Sequence, residues 1–170
     1  MNNIKYLIGD VTFPQKQSDK KIVIPHVVNN AGAMGAGVAL ALLRRWGVVY
    51  DEYMRYFERR RSEISPDGIL GEIAGPPLEN GLINVDSNIS VVNMIAQDNF
   101  SNNSNRALRY DALVLCMKEV EYICKVGNGE IHAPKFGSDI AGGNWEFIEE
   151  LIYDIWLTAG LNVYIYNYKR

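Results

Sequence analysis

Two loops of small residues carry the chemistry this chain offers. Asn29-Asn30-Ala31-Gly32-Ala33-Met34-Gly35-Ala36-Gly37 follows an apolar run and leads straight into Val38-Ala39-Leu40-Ala41-Leu42-Leu43. Phe136-Gly137-Ser138-Asp139-Ile140-Ala141-Gly142-Gly143 follows Glu130-Ile131-His132-Ala133-Pro134-Lys135 and precedes the helix-like Trp145-Glu146-Phe147-Ile148-Glu149-Glu150-Leu151-Ile152. Each reads as strand, glycine-rich turn, helix. The first amides of a helix have no acceptor within it, and they lie at the positive end of its dipole, so such a turn is suited to hold phosphate. Small residues let a phosphate oxygen approach those amides to about 2.9 Å, and glycine also permits positive φ. Two such loops suit a ligand with two phosphates.

The pattern is neither of the two common nucleotide signatures. No Gly-Lys-Ser/Thr follows, so it is not a P-loop, and Gly35 and Gly37 lack the third glycine of a dinucleotide fingerprint. Glycines here also have a plain packing role, closing strand against helix. Asn29 and Asn30 stand directly after the strand, placed either to bond sugar hydroxyls or to close the turn themselves. Asp10, at the end of the first strand, is placed either to accept from the exocyclic amine of a base or to cap its own turn.

The elements that must position these groups alternate. Strands are expected at 4–8, 21–28, 69–74, 81–85, 89–95, 130–133 and 162–168, the 21–28 run being near-continuously β-branched as in a strand buried on both faces. Helices are expected at 38–46, 50–61, 108–125 and 145–157, with a polar loop over Asp98–Asn105. The basic triplet Arg59-Arg60-Arg61 reads as a solvated helix end. Alternation of this kind predicts an α/β protein: a three-layer α/β/α sandwich with a mixed, mostly parallel central sheet. In such sheets ligands bind beyond the carboxyl ends of the strands, where both glycine-rich turns belong.

The totals bound the rest. A chain of 170 residues fits one domain, 1–170, burying about 70% of its unfolded surface. Its net charge of −3 argues against non-specific nucleic-acid binding. Cys116 and Cys124 are eight apart on one helix, too distant to pair, and read as reduced core thiols. There is no signal-peptide core and no apolar run long enough to span a membrane, so a cytoplasmic protein without membrane contact is expected. No metal-ligand spacing is present, and neither metal nor cofactor is expected.

Beyond these local readings, the order of motifs resembles the macrodomain family. Leu7-Ile8-Gly9-Asp10-Val11-Thr12, Val28-Asn29-Asn30, Gly35-Ala36-Gly37-Val38-Ala39 and the Pro134-to-Trp145 loop occur as in macrodomains, over nearly the whole chain. Ile24-Pro25-His26, Asn93-Met94-Ile95-Ala96-Gln97, Arg109-Tyr110-Asp111 and Ala141-Gly142-Gly143-Asn144-Trp145 are similar to the branch with the ADP-ribose 1″-phosphate phosphatase, the terminal ADP-ribose protein glycohydrolase and their phage and bacterial relatives. The resemblance implies ADP-ribose as ligand. It places Asp10 on the adenine amino group with Val11 beside it, Asn29 near the distal ribose, and Tyr166 or Asn167 near the adenine. It wraps Gly35, Ala36, Gly37 and Val38, with Ser138, Asp139, Ile140, Ala141 and Gly142, around the diphosphate.

Departures from that pattern narrow the activity. Gln97 stands where the glycohydrolases have a lysine, and Ala141 where they have an acid, which argues against lysine-dependent removal of ADP-ribosyl groups from protein or nucleic acid. His26 stands where the phosphatase-type member has a histidine, making it a candidate to protonate the leaving sugar oxygen or orient a water; the alternative is a core histidine bonded to backbone. Asp139 replaces a glycine; it either turns away from the diphosphate or activates water. The expected function is thus ADP-ribose binding with removal of the terminal phosphate of ADP-ribose 1″-phosphate, His26 and Asp139 acting as acid and base. The alternatives are a binding module without turnover, or a hydrolase for ADP-ribosylated macromolecules.

Overall fold

Side-chain alternation along the strands builds the molecule. In the computed structural model, which describes residues 2–100 and 106–169, β1 (Lys5–Ile8), β2 (Lys21–Asn29), β3 (Ile83–Asp86), β4 (Ile89–Gln97), β5 (Gly129–Pro134) and β6 (Val163–Asn167) form one sheet in the order β1-β6-β5-β2-β4-β3. Every neighbouring pair is parallel except β3 and β4. Val23, Met94, Ile131, Ala133, Val163 and Ile165 point to one face. They pack there on α3 (Tyr110–Val126) and on α4 (Trp145–Ile152), which runs on as a π-helical turn, Tyr153–Leu157. Ile22, Ile24, Val28, Val91, Ile95 and Tyr164 point to the other, under α1 (Gly37–Arg45) and α2 (Gly47–Arg61). The period of two thus feeds two apolar cores, one on each side of a single sheet. This is the expected three-layer α/β/α sandwich with a mostly parallel mixed sheet.

One expected strand is absent. Residues 69–74 form no strand; Pro66–Ile69 is a 3₁₀ turn, and only an isolated bridge joins Ile73 to Met94. Gly71 takes φ +94°, which breaks the pleat, and Gly75 is pressed so close to Gly81 that a Cβ would lie 2.0 Å from its carbonyl oxygen. The segment still bonds to the sheet through Gly71 N to Ile95 O, Ile95 N to Glu72 O and Ala74 N to Asn93 O. The polar loop expected over Asp98–Asn105 lies, from 101 to 105, outside the described residues. Cys116 and Cys124 are free and buried on α3. Among the described residues no helix is long and apolar enough to cross a membrane.

Candidate ligand-binding site

The site follows from where the chain crosses the sheet. The loop leaving β2 carries the chain to α1 on one face, and the loop leaving the adjacent β5 carries it to α4 on the other. The two loops diverge, and a crevice opens between them at the carboxyl ends of the strands. A cavity of about 670 Å³ occupies it. Its walls are His26–Asn29, Ala33–Ala39, Gln97, Asn99, Pro134–Ala141 and Tyr166–Tyr168.

The first loop is held by its own asparagines. Asn29 Oδ1 accepts from Ala31 N at 2.9 Å, and Asn29 Nδ2 donates to Ala33 O at 2.9 Å. Tyr53 Oη accepts from Gly32 N (3.0 Å) and donates to the Asn29 carbonyl (2.7 Å). Burial pushes the Tyr53 pKa up to about 12, so its hydroxyl remains a donor. Asn29 lines the cavity while closing the turn; its side chain is engaged within the loop. Asn30 stays out of the cavity. It is fully buried, donates to Pro66 O and Asp98 Oδ1 and accepts from Asn99 N, a structural role in place of the sugar contact expected of it.

Helix α1 begins without a side-chain cap: its N-cap is Ala36, which has no polar group to offer. The first-turn amides of α1 therefore lack an intrahelical acceptor, and Gly35, Ala36, Gly37 and Val38 all line the cavity. The second loop reaches a similar result by another route. Helix α4 is capped by Asn144, whose Oδ1 accepts from Phe147 N at 3.0 Å, so the anion-binding helix start expected there is occupied by its own side chain. The loop itself curls instead. Gly142 N donates to Asp139 O (3.0 Å) and Gly143 N to Gly137 O (2.8 Å), leaving the amides of Ser138, Asp139, Ile140 and Ala141 without a backbone acceptor among the described residues. A Cβ on Gly143 would lie 2.5 Å from Gly137 O, so the curl requires glycine. Ser138 Oγ donates back to Lys135 O at 3.0 Å. Gly142 is not on the cavity wall, whereas Ser138, Asp139, Ile140 and Ala141 are. Ile140 reaches across: a Cβ on Gly37 would be 3.8 Å from its Cδ1.

The adenine-side residues are placed less uniformly. Tyr166 and Asn167 line the cavity, with Tyr168 beyond them. Asp10 and Val11 lie outside its wall. Asp10 Oδ1 accepts from Thr12 N (2.9 Å) and Thr12 Oγ1 (2.8 Å), the turn-capping alternative, and Val11 is buried in the core. Sequence reasoning did not single out Lys135, the one cation on the wall among the described residues. Its Nζ lies 5.9 Å from the ring centroids of both Tyr6 and Trp145. Its place between Pro134 and the glycine-rich turn was the available signal.

His26 does not have the form of a general acid. It touches the cavity wall, but its position in β2 turns the ring to the α1/α2 face, and the residue is 1% exposed. Asn93 donates through Nδ2 to Val49 O (3.2 Å) and Ala74 O (3.1 Å), which fixes Asn93 Oδ1 toward the ring as an acceptor. His26 Nε2 must therefore carry the proton and donate it there, and Nδ1 is a buried lone pair with no partner among the described residues. Desolvation pushes the pKa of His26 down from 6.5 to about 4, only partly offset by Asn93. At neutral pH the ring is neutral and its one proton is committed, an arrangement that fits the core-histidine alternative better than that of a general acid.

A pH dependence follows with a definite sign. Between pH 6.5 and 4 the unfolded chain protonates this imidazole while the folded protein does not, so stability falls as the solution is acidified through that window. The full effect is about 3 kcal/mol. His132, also lowered by burial, acts in the same direction. Urea midpoints measured from pH 7 to pH 4.5 should fall more steeply for the wild-type protein than for His26→Gln.

The comparisons with known proteins come down on one family. No protein-family model matches the chain. A Bacteroides thetaiotaomicron protein of known structure is 30% identical, with a TM-score of 0.82 over 96% of this chain and 99% of that one. A macrodomain protein from Streptomyces coelicolor is 28% identical, with a TM-score of 0.78 over 98% of this chain and 100% of that one. The chain belongs to the macrodomain family. The DarTG protein of Thermosipho africanus, solved with ADP-ribose, shares the fold of this macrodomain: TM-score 0.71, 14% identity, 99% of this chain and 42% of that one. Among curated proteins, the chromodomain-helicase-DNA-binding protein 1-like of Danio rerio is 28% identical over 167 residues, 98% of this chain and 16% of that protein. The macrodomain thus spans about a sixth of the length of that relative. An ADP-ribose 1″-phosphate phosphatase from Lodderomyces elongisporus is 22% identical over 95% of this chain and 98% of its own.

Proposed function

We propose that this macrodomain binds ADP-ribose, free or carried on a larger molecule, with the diphosphate seated between its two loops. The observation that carries this reading is the pair of runs Gly35–Val38 and Ser138–Ala141, which line one cavity, approach each other at Gly37 and Ile140, and have amides without a backbone acceptor among the described residues. Backbone amides of this kind bind an anion without a counter-charge, which suits a wall holding only Lys135 and Asp139 as charged residues among those described. The ADP-ribose complex of the Thermosipho protein, which has the same fold, supports the choice of ligand.

A second reading keeps turnover: removal of the terminal phosphate of ADP-ribose 1″-phosphate. Asp139, an exposed carboxylate on the cavity wall, favours it, as does the likeness to the Lodderomyces phosphatase. In that reaction the carboxylate takes a proton from water, the water oxygen bonds to phosphorus, and the bond from phosphorus to the 1″ oxygen breaks. The departing sugar oxygen takes its proton from solvent, since the one proton of His26 is committed to Asn93. Gln97 and the buried Ala141 on the same wall weigh against the lysine-dependent removal of ADP-ribosyl groups. A phosphorus NMR time course with ADP-ribose 1″-phosphate separates the readings. Binding alone broadens the diphosphate signals and leaves the monoester intact; turnover replaces the monoester with inorganic phosphate. An unchanged spectrum at excess protein contradicts both.

A further inference from the structure

Strand β1 closes one side of the sheet, and its outer edge is open. Gly9 N donates to Asn167 O. By the two-residue period of a parallel ladder, Lys5 and Leu7 therefore turn their backbone groups to β6, and Tyr6 and Ile8 turn theirs outward. Gln15 Nε2 donates to Ile8 O at 2.9 Å and blunts that end of the edge. The Tyr6 N–H and C=O and the Ile8 N–H have no partner among the described residues. Tyr6 and Ile8 are 42% and 63% exposed.

The side chains beside this edge have a distinct chemistry. Ile4 packs on the α4 core, and Tyr6 Oη donates to Glu149 Oε2 and accepts from Trp145 Nε1 at 3.1 Å. Burial, reinforced by Glu149, pushes the Tyr6 pKa up to about 12, so its hydroxyl stays a donor. Between β1 and α4 lies a groove of about 470 Å³, lined by Ile4, Tyr6 and Leu157 and by Glu146, Glu149 and Glu150. It shares no lining residue with the ligand cavity. Glu52, Glu58 and Glu63, on and just after α2, are each paired with an arginine. Glu146, Glu149 and Glu150 form no ion pair among the described residues. An open strand edge thus runs beside an apolar groove with an unneutralised negative rim.

That charge decides between occupants. A second copy pairing antiparallel through β1 would be related by a two-fold axis perpendicular to the sheet, which brings its own α4 onto the same face, acids toward acids. An extended segment with lysine or arginine at alternate positions meets no such repulsion. One of its residues exchanges both backbone bonds with Tyr6, and the side chains falling on the α4 face set cations against the glutamates. We infer that β1 and the α4 groove form a docking surface for a basic, extended segment of a partner protein, which adds to the sheet beside Tyr6. This surface is independent of the ADP-ribose reading.

Amide-resolved NMR on the full chain, titrated with a short end-capped peptide alternating lysine and threonine, tests this. The peptide should shift the Tyr6 and Ile8 amides saturably, with ADP-ribose present or absent. Glu146→Lys/Glu150→Lys, at two exposed positions, should weaken binding about tenfold or more. N-methylation of alternate peptide amides should abolish binding for one set of positions and spare it for the other, because only one edge of the added strand bonds to β1. Equal affinity whichever set is methylated means an ionic contact without strand addition and overturns the inference. So does equal binding of a peptide with glutamate in place of lysine, or no shift at millimolar peptide. A dimer in sedimentation whose Tyr6 amide is protected from exchange would put a second copy on this edge, and that also overturns it.

Discussion

Gly37→Val is expected to lower affinity for ADP-ribose by about a hundredfold or more, with the fold intact. Gly37 starts α1 at φ +61°, a left-handed conformation that costs an ordinary residue about 1–2 kcal/mol and a β-branched one more. The first carbon of a side chain there would already lie 3.8 Å from Ile140 Cδ1, so the branches of valine would enter the gap between the two loops. In the proposed binding mode, that gap is where both amide rows meet the ligand. Gly37→Ala supplies the control, adding the backbone cost and a single carbon in ordinary contact, and should retain part of the affinity. Calorimetry with ADP-ribose reads both variants, and circular dichroism checks their fold. Wild-type affinity in a folded Gly37→Val protein would place the ligand elsewhere.

Asn93→Ala is expected to have the largest effect on stability, about 3–5 kcal/mol. The side chain is fully buried and makes three bonds: it accepts from His26 and donates to the carbonyls of Val49 and Ala74. Alanine leaves all three partners unpaired inside the core, as well as a cavity. Those carbonyls belong to α2 and to the segment after the 3₁₀ turn, so the amide joins β2, β4, a helix and a loop at one point. Against the roughly 5–15 kcal/mol that holds a typical domain, this is a large fraction. Urea unfolding gives the value directly. A loss below about 1 kcal/mol would mean that water or a neighbour takes over those bonds.

The parts of the protein legible in its sequence are those governed by short-range patterns. The β-branched run at 21–28, the two strand–turn–helix units and the small residues between them were enough to place a crevice at the carboxyl ends of parallel strands. What escaped reading depends on parity and on distant partners. His26 looks like a catalytic histidine beside a loop, yet its register in β2 turns the ring into the α1/α2 core even though the residue touches the cavity wall. Asn30 differs from Asn29 by a single step, and lies buried where Asn29 lies on the wall. The second helix start reads as an anion site until Asn144 is seen to cap it. Residues 69–74 have strand composition, but Gly71 and Gly75 impose a turn and a close contact that composition does not register. The buried hydrogen-bond chain Glu130–His132–Tyr166 joins β5 to β6, and no local spacing announces it.

The central claim is that two rows of backbone amides grip a diphosphate, and an amide-resolved titration tests it most directly. In ¹⁵N-labelled protein, ADP-ribose should shift the amide signals of Gly35–Val38 and Ser138–Ala141 most strongly, moving them downfield as hydrogen bonds form to phosphate oxygens. Adenosine, which lacks the phosphates, should leave those signals in place. Saturable binding that perturbs other surfaces and spares both loops, or no perturbation at millimolar ADP-ribose, would contradict the account.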